Sequence, residues 1–198
     1  MMEESSRRVC VYGGSFDPVH TGHGIVASYV AQWGGFDEVW LMVSRHNPIK
    51  DGRPASESDR LAMVELVAAR CPGVRVSDFE MRLPSPSYTY TTLCRLRAAY
   101  PDCEFTLLVG ADNWVSFDLW RDNDRIVEEF GIVIYPRRGF EVEEETLPPG
   151  VSYLSEAPRV EISSTFIRKA ISEGRNVEFF LPPDVKEYAE AHNLYKTP

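Results

Sequence analysis

Residues 9–23 read V-C-V-Y-G-G-S-F-D-P-V-H-T-G-H. The β-rich start predicts a short strand over residues 8–12, ended by glycine. Beyond the turn, Ile25, Val26, Tyr29, Val30 and Trp33 recur at helical spacing from about Thr21 to Trp33, and Gly34-Gly35 supplies the stop. Strand, glycine-rich turn and helix in direct succession open a βα unit. Two imidazoles, His20 and His23, stand at its mouth.

The same alternation runs outward from this unit. Glu38–Val43, E-V-W-L-M-V, is nearly all apolar, as a buried parallel strand should be. Ser56-Glu57-Ser58-Asp59 offers helix-start chemistry ahead of R-L-A-M-V-E-L-V-A-A-R, and Pro72-Gly73 closes that helix. A short strand is expected over Val74–Ser77, a helix over about 90–100 stopped by Pro101, and a buried strand over 104–109. A helix over about 122–129 leads to G-I-V-I-Y, another strand, and then to an acidic, proline-bearing excursion over 141–150. A last strand over 151–154 and helices over about 164–172 and 183–192 finish the chain. Strands alternating with helices throughout predict an α/β, doubly wound parallel sheet in a single domain over residues 1–198, with no internal repeat and no dividing linker. In such sheets ligands bind at the carboxyl ends of the strands, where strand order reverses. The stretch at 13–23, S-R-H-N-P-I-K at 44–50, G-A-D-N-W at 110–114 and Y-P-R-R-G at 135–139 all follow strand ends and are expected to share one cleft.

Bulk properties narrow the chemistry. A formal net charge of −9 over 198 residues argues against broad nucleic-acid binding, which needs a basic face. It leaves room for a small anion held by local donors. Four cysteines without a C-x-x-C pair read as free thiols, with Cys10 in a buried strand. No apolar run reaches membrane-spanning length, and M-M-E-E-S-S-R-R lacks a signal peptide's apolar centre. The expectation is a soluble, cytoplasmic protein with neither nucleic acid nor membrane as partner; homo-oligomer formation stays open.

Three readings compete for the histidine pair. A zinc site needs three or four ligands, and with four histidines in the chain and no H-E-x-x-H spacing the ligands are short. A hydrolytic triad through Ser15 lacks the G-x-S-x-G elbow. A purely structural role would have His20 cap the turn and His23 begin the helix. A phosphate site accounts for all the pieces: glycines let backbone approach an anion, first-turn N–H groups donate to it, and the helix dipole favours negative charge. Imidazole donors add stabilisation as charge develops in a transition state. Neither G-x-G-x-x-G nor the G-K-[ST] of a P-loop is present, so this is a different phosphate device.

Here the residues resemble a known family. G-S-F-D-P-V-H-T-G-H is similar to the H-x-G-H signature of the nucleotidyltransferase superfamily, related to class I aminoacyl-tRNA synthetases. I-S-S-T-F-I-R at 162–168 resembles its I-S-S-T-x-I-R signature. S-Y-T-Y-T-T-L, G-A-D-N-W-x-x-F-x-x-W and L-P-P-D-V-K-E-Y-A-E-A-H-N-L-Y resemble segments of the bacterial nicotinate-nucleotide adenylyltransferases, so the resemblance covers nearly the whole chain. It implies a Rossmann-like nucleotidyltransferase fold and transfer of an adenylyl group from ATP to nicotinate mononucleotide, giving deamido-NAD and pyrophosphate in NAD biosynthesis. It further implies Mg2+ held mainly by substrate phosphates, no protein metal ligands and no covalent enzyme intermediate.

The resemblance also implies roles. His20, His23 and Arg168 would be catalytic. Gly14, Ser15, Phe16, Gly110, Asp112, Ile162, Ser163, Ser164 and Thr165 would bind ATP, the helices over 164–193 completing the triphosphate site. His46, Lys50, Thr89, Trp120 and Arg121 would bind the mononucleotide, with Trp120 stacked on the pyridine ring. Three positions depart from the family pattern: Ile49 where a histidine is expected, Thr91 for an aspartate, and Arg138 for the proline of R-P-G. The alternatives are another acceptor, such as nicotinamide mononucleotide or pantetheine phosphate, and a non-catalytic nucleotide sensor.

Overall fold

The computed structural model describes residues 6–45 and 55–196. Six strands form one all-parallel sheet: β1 (Arg7–Gly14), β2 (Glu38–Val43), β3 (Val74–Ser77), β4 (Cys103–Gly110), β5 (Ile132–Tyr135) and β6 (Val151–Tyr153). Their order is β3-β2-β1-β4-β5-β6, so the winding direction reverses between β1 and β4. That is the doubly wound arrangement, and the reversal opens a crevice at the strands' carboxyl ends. β1 runs two residues past its expected end, because Gly13 and Gly14 still pair in register with Met42 and Val43.

Each central strand buries both faces, with period two. Cys10 on β1, Leu41 on β2 and Leu108 on β4 join the core that α1 (Thr21–Trp33) and α2 (Glu57–Ala68) cover. Their neighbours Val11, Trp40 and Leu107 join the opposite core, under α3 (Thr89–Ala99). This two-sided burial is why the strand sequences read as continuous apolar runs. Full burial of each large apolar side chain contributes about 1.5–3 kcal/mol.

The remaining helices are α4 (Ala111–Trp114), α5 (Asn123–Phe130), α6 (Ser164–Ser172) and α7 (Pro183–Ala191). Ser56 caps α2 by accepting from the Asp59 N–H at 3.1 Å. The sequence pattern did not reveal α4, which is a single turn and too short to show a period. The excursion over 141–150 is largely exposed and carries one 3₁₀ turn, Glu144–Thr146. All four cysteines are free, Cys10 fully buried. No helix among the described residues is long and apolar enough to cross a membrane.

Candidate active site

A cleft of about 290 Å³ lies at the reversal, lined by Gly13 and Gly14 of β1, Ser44 after β2, Gly110 of β4 and Arg137 after β5. Outside that lining, the turn from β1 to α1 follows Gly14 and forms one wall of the candidate site. His20 is the N-cap of α1, in extended backbone conformation, and only 3% exposed. The His23 N–H donates to His20 Nδ1 at 3.3 Å, and the His20 N–H donates to His23 Nδ1 at 3.1 Å. The two rings stack with centroids 3.6 Å apart, and Phe16 meets His23 edge-on at 5.0 Å. The pair therefore closes a capping box built from imidazoles: the His20 N–H gains an acceptor the helix cannot supply, and the His23 N–H is shared between the His20 ring and the His20 carbonyl, 2.9 Å away.

This capping decides the tautomer. With both Nδ1 atoms accepting, each neutral ring carries its proton on Nε2. Burial pushes His20 down to about 4, helped by the Arg137 cation and opposed by its own backbone bond. Burial pushes His23 well below its usual value, with His20 and Arg137 adding to the effect. At neutral pH the site thus presents two uncharged Nε2–H donors on a helix N-terminus, an arrangement suited to phosphate oxygens. The capping role expected of the histidines thus engages the Nδ1 atom of each ring. Gly22 keeps the turn close, since a Cβ would press on the His20 ring at 3.0 Å and on Val160 Cγ1 at 3.2 Å.

The second wall of the candidate site comes from α6, more than 140 residues later, which docks on that turn. Ser163 caps it by accepting from the Phe166 N–H at 3.2 Å. Ser164 Oγ donates to the Pro18 carbonyl at 2.9 Å. Arg168 donates from Nη1 to the Asp17 carbonyl at 2.7 Å and from Nη2 to Thr165 Oγ1 at 3.3 Å. The Ser163 and Ser164 hydroxyls, expected to face phosphate, are engaged in capping and docking. The donors that α6 offers at its opening are the N–H groups of Ser164 and Thr165, which lack intrahelical acceptors. Ile162, half-buried, packs against the core beneath them.

Gly110 ends β4, and a Cβ there would fall 2.3 Å from Asp112 Oδ1 and 3.2 Å from Arg137 Nε. Arg137, in the Y-P-R-R-G stretch expected to reach the cleft, lines it. Its Nη1 donates to the Val160 carbonyl at 3.1 Å, and its Nε lies 3.7 Å from Asp112 Oδ1. Trp120 is half-buried, packs on Phe117 at 5.3 Å, and lies between the cleft and a smaller hollow of about 220 Å³. Ser87, Tyr88, Thr89 and Arg121 complete that hollow. The Arg121 guanidinium lies 4.6 Å from the Tyr88 ring centre and 3.6 Å from the Asp122 carboxylate. Thr91 and Arg138 are exposed, the latter 3.4 Å from Glu161. His46, Ile49 and Lys50 lie outside the described residues.

Sequence reasoning missed three supports of the first wall. Asp17, 8% exposed, accepts at Oδ1 from the Ala55 N–H at 3.0 Å and from the Tyr195 hydroxyl at 2.7 Å. Arg60, 1% exposed, donates from Nη1 to the Ser15 and Ser44 carbonyls. Nothing local marks Asp17 or Tyr195. Arg60 did leave a signal: it shares the i, i+3, i+4, i+7 stripe of α2 with Met63, Val64 and Val67, where a cation is out of place. Among the described residues, no group of three or more His, Cys, Asp or Glu side chains is placed to hold a metal.

Residues 11–170 match the family model described as cytidylyltransferase-like. The chain is similar in fold to the Plasmodium falciparum nicotinic acid mononucleotide adenylyltransferase solved with NaAD, with a TM-score of 0.78 at 21% identity, covering 96% of this chain and 97% of that one. It is 40% identical to a Flavobacterium johnsoniae protein named "Probable nicotinate-nucleotide adenylyltransferase", over 96% of this chain and 99% of its relative. A Bacteroides fragilis protein of the same name is 47% identical over 88% of this chain and 87% of its own length. With that identity spread over nearly the full length of both sequences, the chain belongs to the nicotinate-nucleotide adenylyltransferases of the cytidylyltransferase-like family.

Proposed function

We propose that the protein transfers the adenylyl group of ATP to nicotinate mononucleotide, releasing pyrophosphate and giving deamido-NAD for NAD biosynthesis in the cytoplasm, with neither nucleic acid nor membrane as partner. The observation that carries this reading is the imidazole capping box, which engages both Nδ1 atoms and leaves two neutral Nε2–H donors at a helix N-terminus a few residues after the cleft-lining Gly13 and Gly14. A phosphate oxygen of the mononucleotide attacks the α-phosphorus of ATP. One P–O bond forms there, and the bond to the departing pyrophosphate breaks in line. No protein group need take a proton or form a bond, so the chain's contribution is positioning and charge stabilisation.

In this reading His20 and His23 donate to the triphosphate and strengthen those bonds as charge moves onto the leaving group. Arg168 uses two of its five N–H donors on Asp17 and Thr165, and those remaining serve phosphate oxygens. Gly14, Ser15 and Phe16 supply main chain along the phosphates, while Gly110 and Asp112 attend the adenosine. The donors around the cleft are imidazole, guanidinium and backbone N–H groups, which fit phosphate rather than a bare cation. Mg2+ would arrive on the substrate phosphates, neutralising their charge, with few or no protein ligands.

Trp120 offers a ring face to the pyridine, and the backbone N–H groups of Thr89 and Arg121 hold the acceptor's carboxylate. The Arg121 guanidinium beside the hollow favours an acid over an amide there. Pyrophosphate release with ATP, Mg2+ and each mononucleotide tests this. We expect kcat/KM for the nicotinate form to exceed that for the nicotinamide form by at least about tenfold. Equal values would defeat acid selectivity, and ATP binding without pyrophosphate release would leave a sensor.

A further inference from the structure

We propose that Arg60 is a positioning residue that holds the nucleotide cradle and Ser44, just past the end of β2, in a fixed mutual arrangement. The inference rests on the adenylyl-transfer reading. Arg60 sits on the buried stripe of α2, flanked at helical spacing by Met63, Val64 and Val67. Burying a guanidinium there is costly unless its donors are matched, and a methionine would fill the stripe without that cost. Packing alone therefore gives no reason for an arginine.

Its hydrogen bonds do. Nη1 donates to the Ser15 carbonyl at 2.6 Å and to the Ser44 carbonyl at 2.8 Å. Ser15 belongs to the turn that leads from β1 to the histidine pair, and Ser44 begins the loop after β2. The two segments meet once more close by, where the Ser44 N–H donates to the Gly14 carbonyl at 2.9 Å.

The bond to Ser15 also fixes a peptide plane. In a trans peptide the N–H points opposite to the C=O, so drawing the Ser15 carbonyl toward Arg60 turns the Phe16 N–H away from it. Phe16 has φ +46°, a left-handed conformation that a bulky residue rarely adopts. The anchored carbonyl next to it holds that conformation in place. Arg60 touches no substrate in this scheme; it acts through Ser15 and Ser44.

The consequence falls on the step that joins the two substrates. In-line attack needs the acceptor oxygen near 3–3.5 Å from the α-phosphorus, and a misplacement of about 1 Å can lower the rate about 10²-fold. Binding of either substrate alone depends on one wall at a time and is affected far less.

The test uses Arg60→Met and Arg60→Lys in the full chain. Turnover is normalised to sites that bind α,β-methylene-ATP, and Kd values for that analogue and for nicotinate mononucleotide are measured separately. We expect Arg60→Met to lower normalised kcat by about 10²-fold while each Kd stays within about threefold. Both bonds leave from one nitrogen, so a lysine ammonium can restore part of them, and Arg60→Lys should fall between Arg60→Met and wild type. Normalised kcat within threefold of wild type in Arg60→Met overturns the proposal. So does a fall in kcat matched by an equal weakening of both Kd values, or a lysine variant no better than methionine. If Arg60→Met does not fold, Arg60→Lys decides: kcat lowered more than threefold at unchanged Kd supports the proposal, and unchanged kcat overturns it. An inactive wild-type enzyme would overturn the transfer reading, and this inference with it, whereas an active wild type with indifferent variants overturns this inference alone.

Discussion

His20 and His23 divide their work between ring nitrogens, and substitution can separate the two halves. An asparagine places its amide oxygen near the position of Nδ1 but reaches nothing at Nε2. His23→Asn should keep the cap and lose the donor, lowering kcat by about 10²–10³ with an unchanged melting temperature. His23→Ala should lose both, adding a cap penalty of about 1 kcal/mol, or about 2–4 °C in a chain of this size. Turnover near normal in His23→Asn would remove the ring from the chemistry. The same residues impose a pH dependence. Folded His20 titrates at about 4 and an unfolded histidine near 6.5, so between those values the unfolded chain binds more protons. The His20 contribution to stability is complete above pH 6.5 and falls through that window by about 1.4 kcal/mol per pH unit. Protonation also turns Nδ1 into a donor facing a backbone N–H, which breaks the capping box. Urea unfolding of wild type and His20→Asn between pH 7 and 5 should show a shallower loss in the variant.

The opening of α6 docks on the turn that precedes α1. Ser164 and Arg168 bind the carbonyls of Pro18 and Asp17 there. In the proposed site both N-termini then serve the triphosphate, each adding donors and a favourable dipole end. Gly22 keeps this junction close. Gly22→Ala should gain helix propensity of up to about 1 kcal/mol while its Cβ presses on the His20 ring and Val160. The expected outcome is a melting temperature changed by less than about 4 °C and a kcat lowered about tenfold or more, as the imidazole leaves its place. Unaltered turnover would mean the ring's position is not critical.

At the level of the entire sheet, the reversal between β1 and β4 makes a crevice, and the C-terminal segment braces the neighbouring β1–α1 turn through the Tyr195 bond to Asp17. Hydrogen exchange with and without α,β-methylene-ATP reads this directly. Protection should gather in the β1–α1 turn, residues 13–24, and at the opening of α6, residues 162–169. The fold offers a rival hollow of about 350 Å³ between α6 and α7, near Ile171, Val177 and Leu181. Protection centred there would place the nucleotide elsewhere and refute the site described.

Much of this was legible in the chain of letters. Two-sided burial made β2 and β4 read as apolar runs, α1 announced itself by its stripe and its glycine stop, the residues around His20 and Gly110 lay after strands where a doubly wound sheet gathers its ligands, and those around Ser163 stood out by resemblance to a family signature. Those features are local, because backbone conformation and burial leave their mark within a few residues. Arg60, Asp17 and Tyr195 could not be read as parts of the site in that way. Their partners lie between 16 and 178 residues off along the chain, and strand order and crossovers alone bring them together. The tautomer of the histidine pair was equally hidden: it follows from which ring nitrogen meets a backbone N–H, a matter of three-dimensional geometry that residue type leaves open.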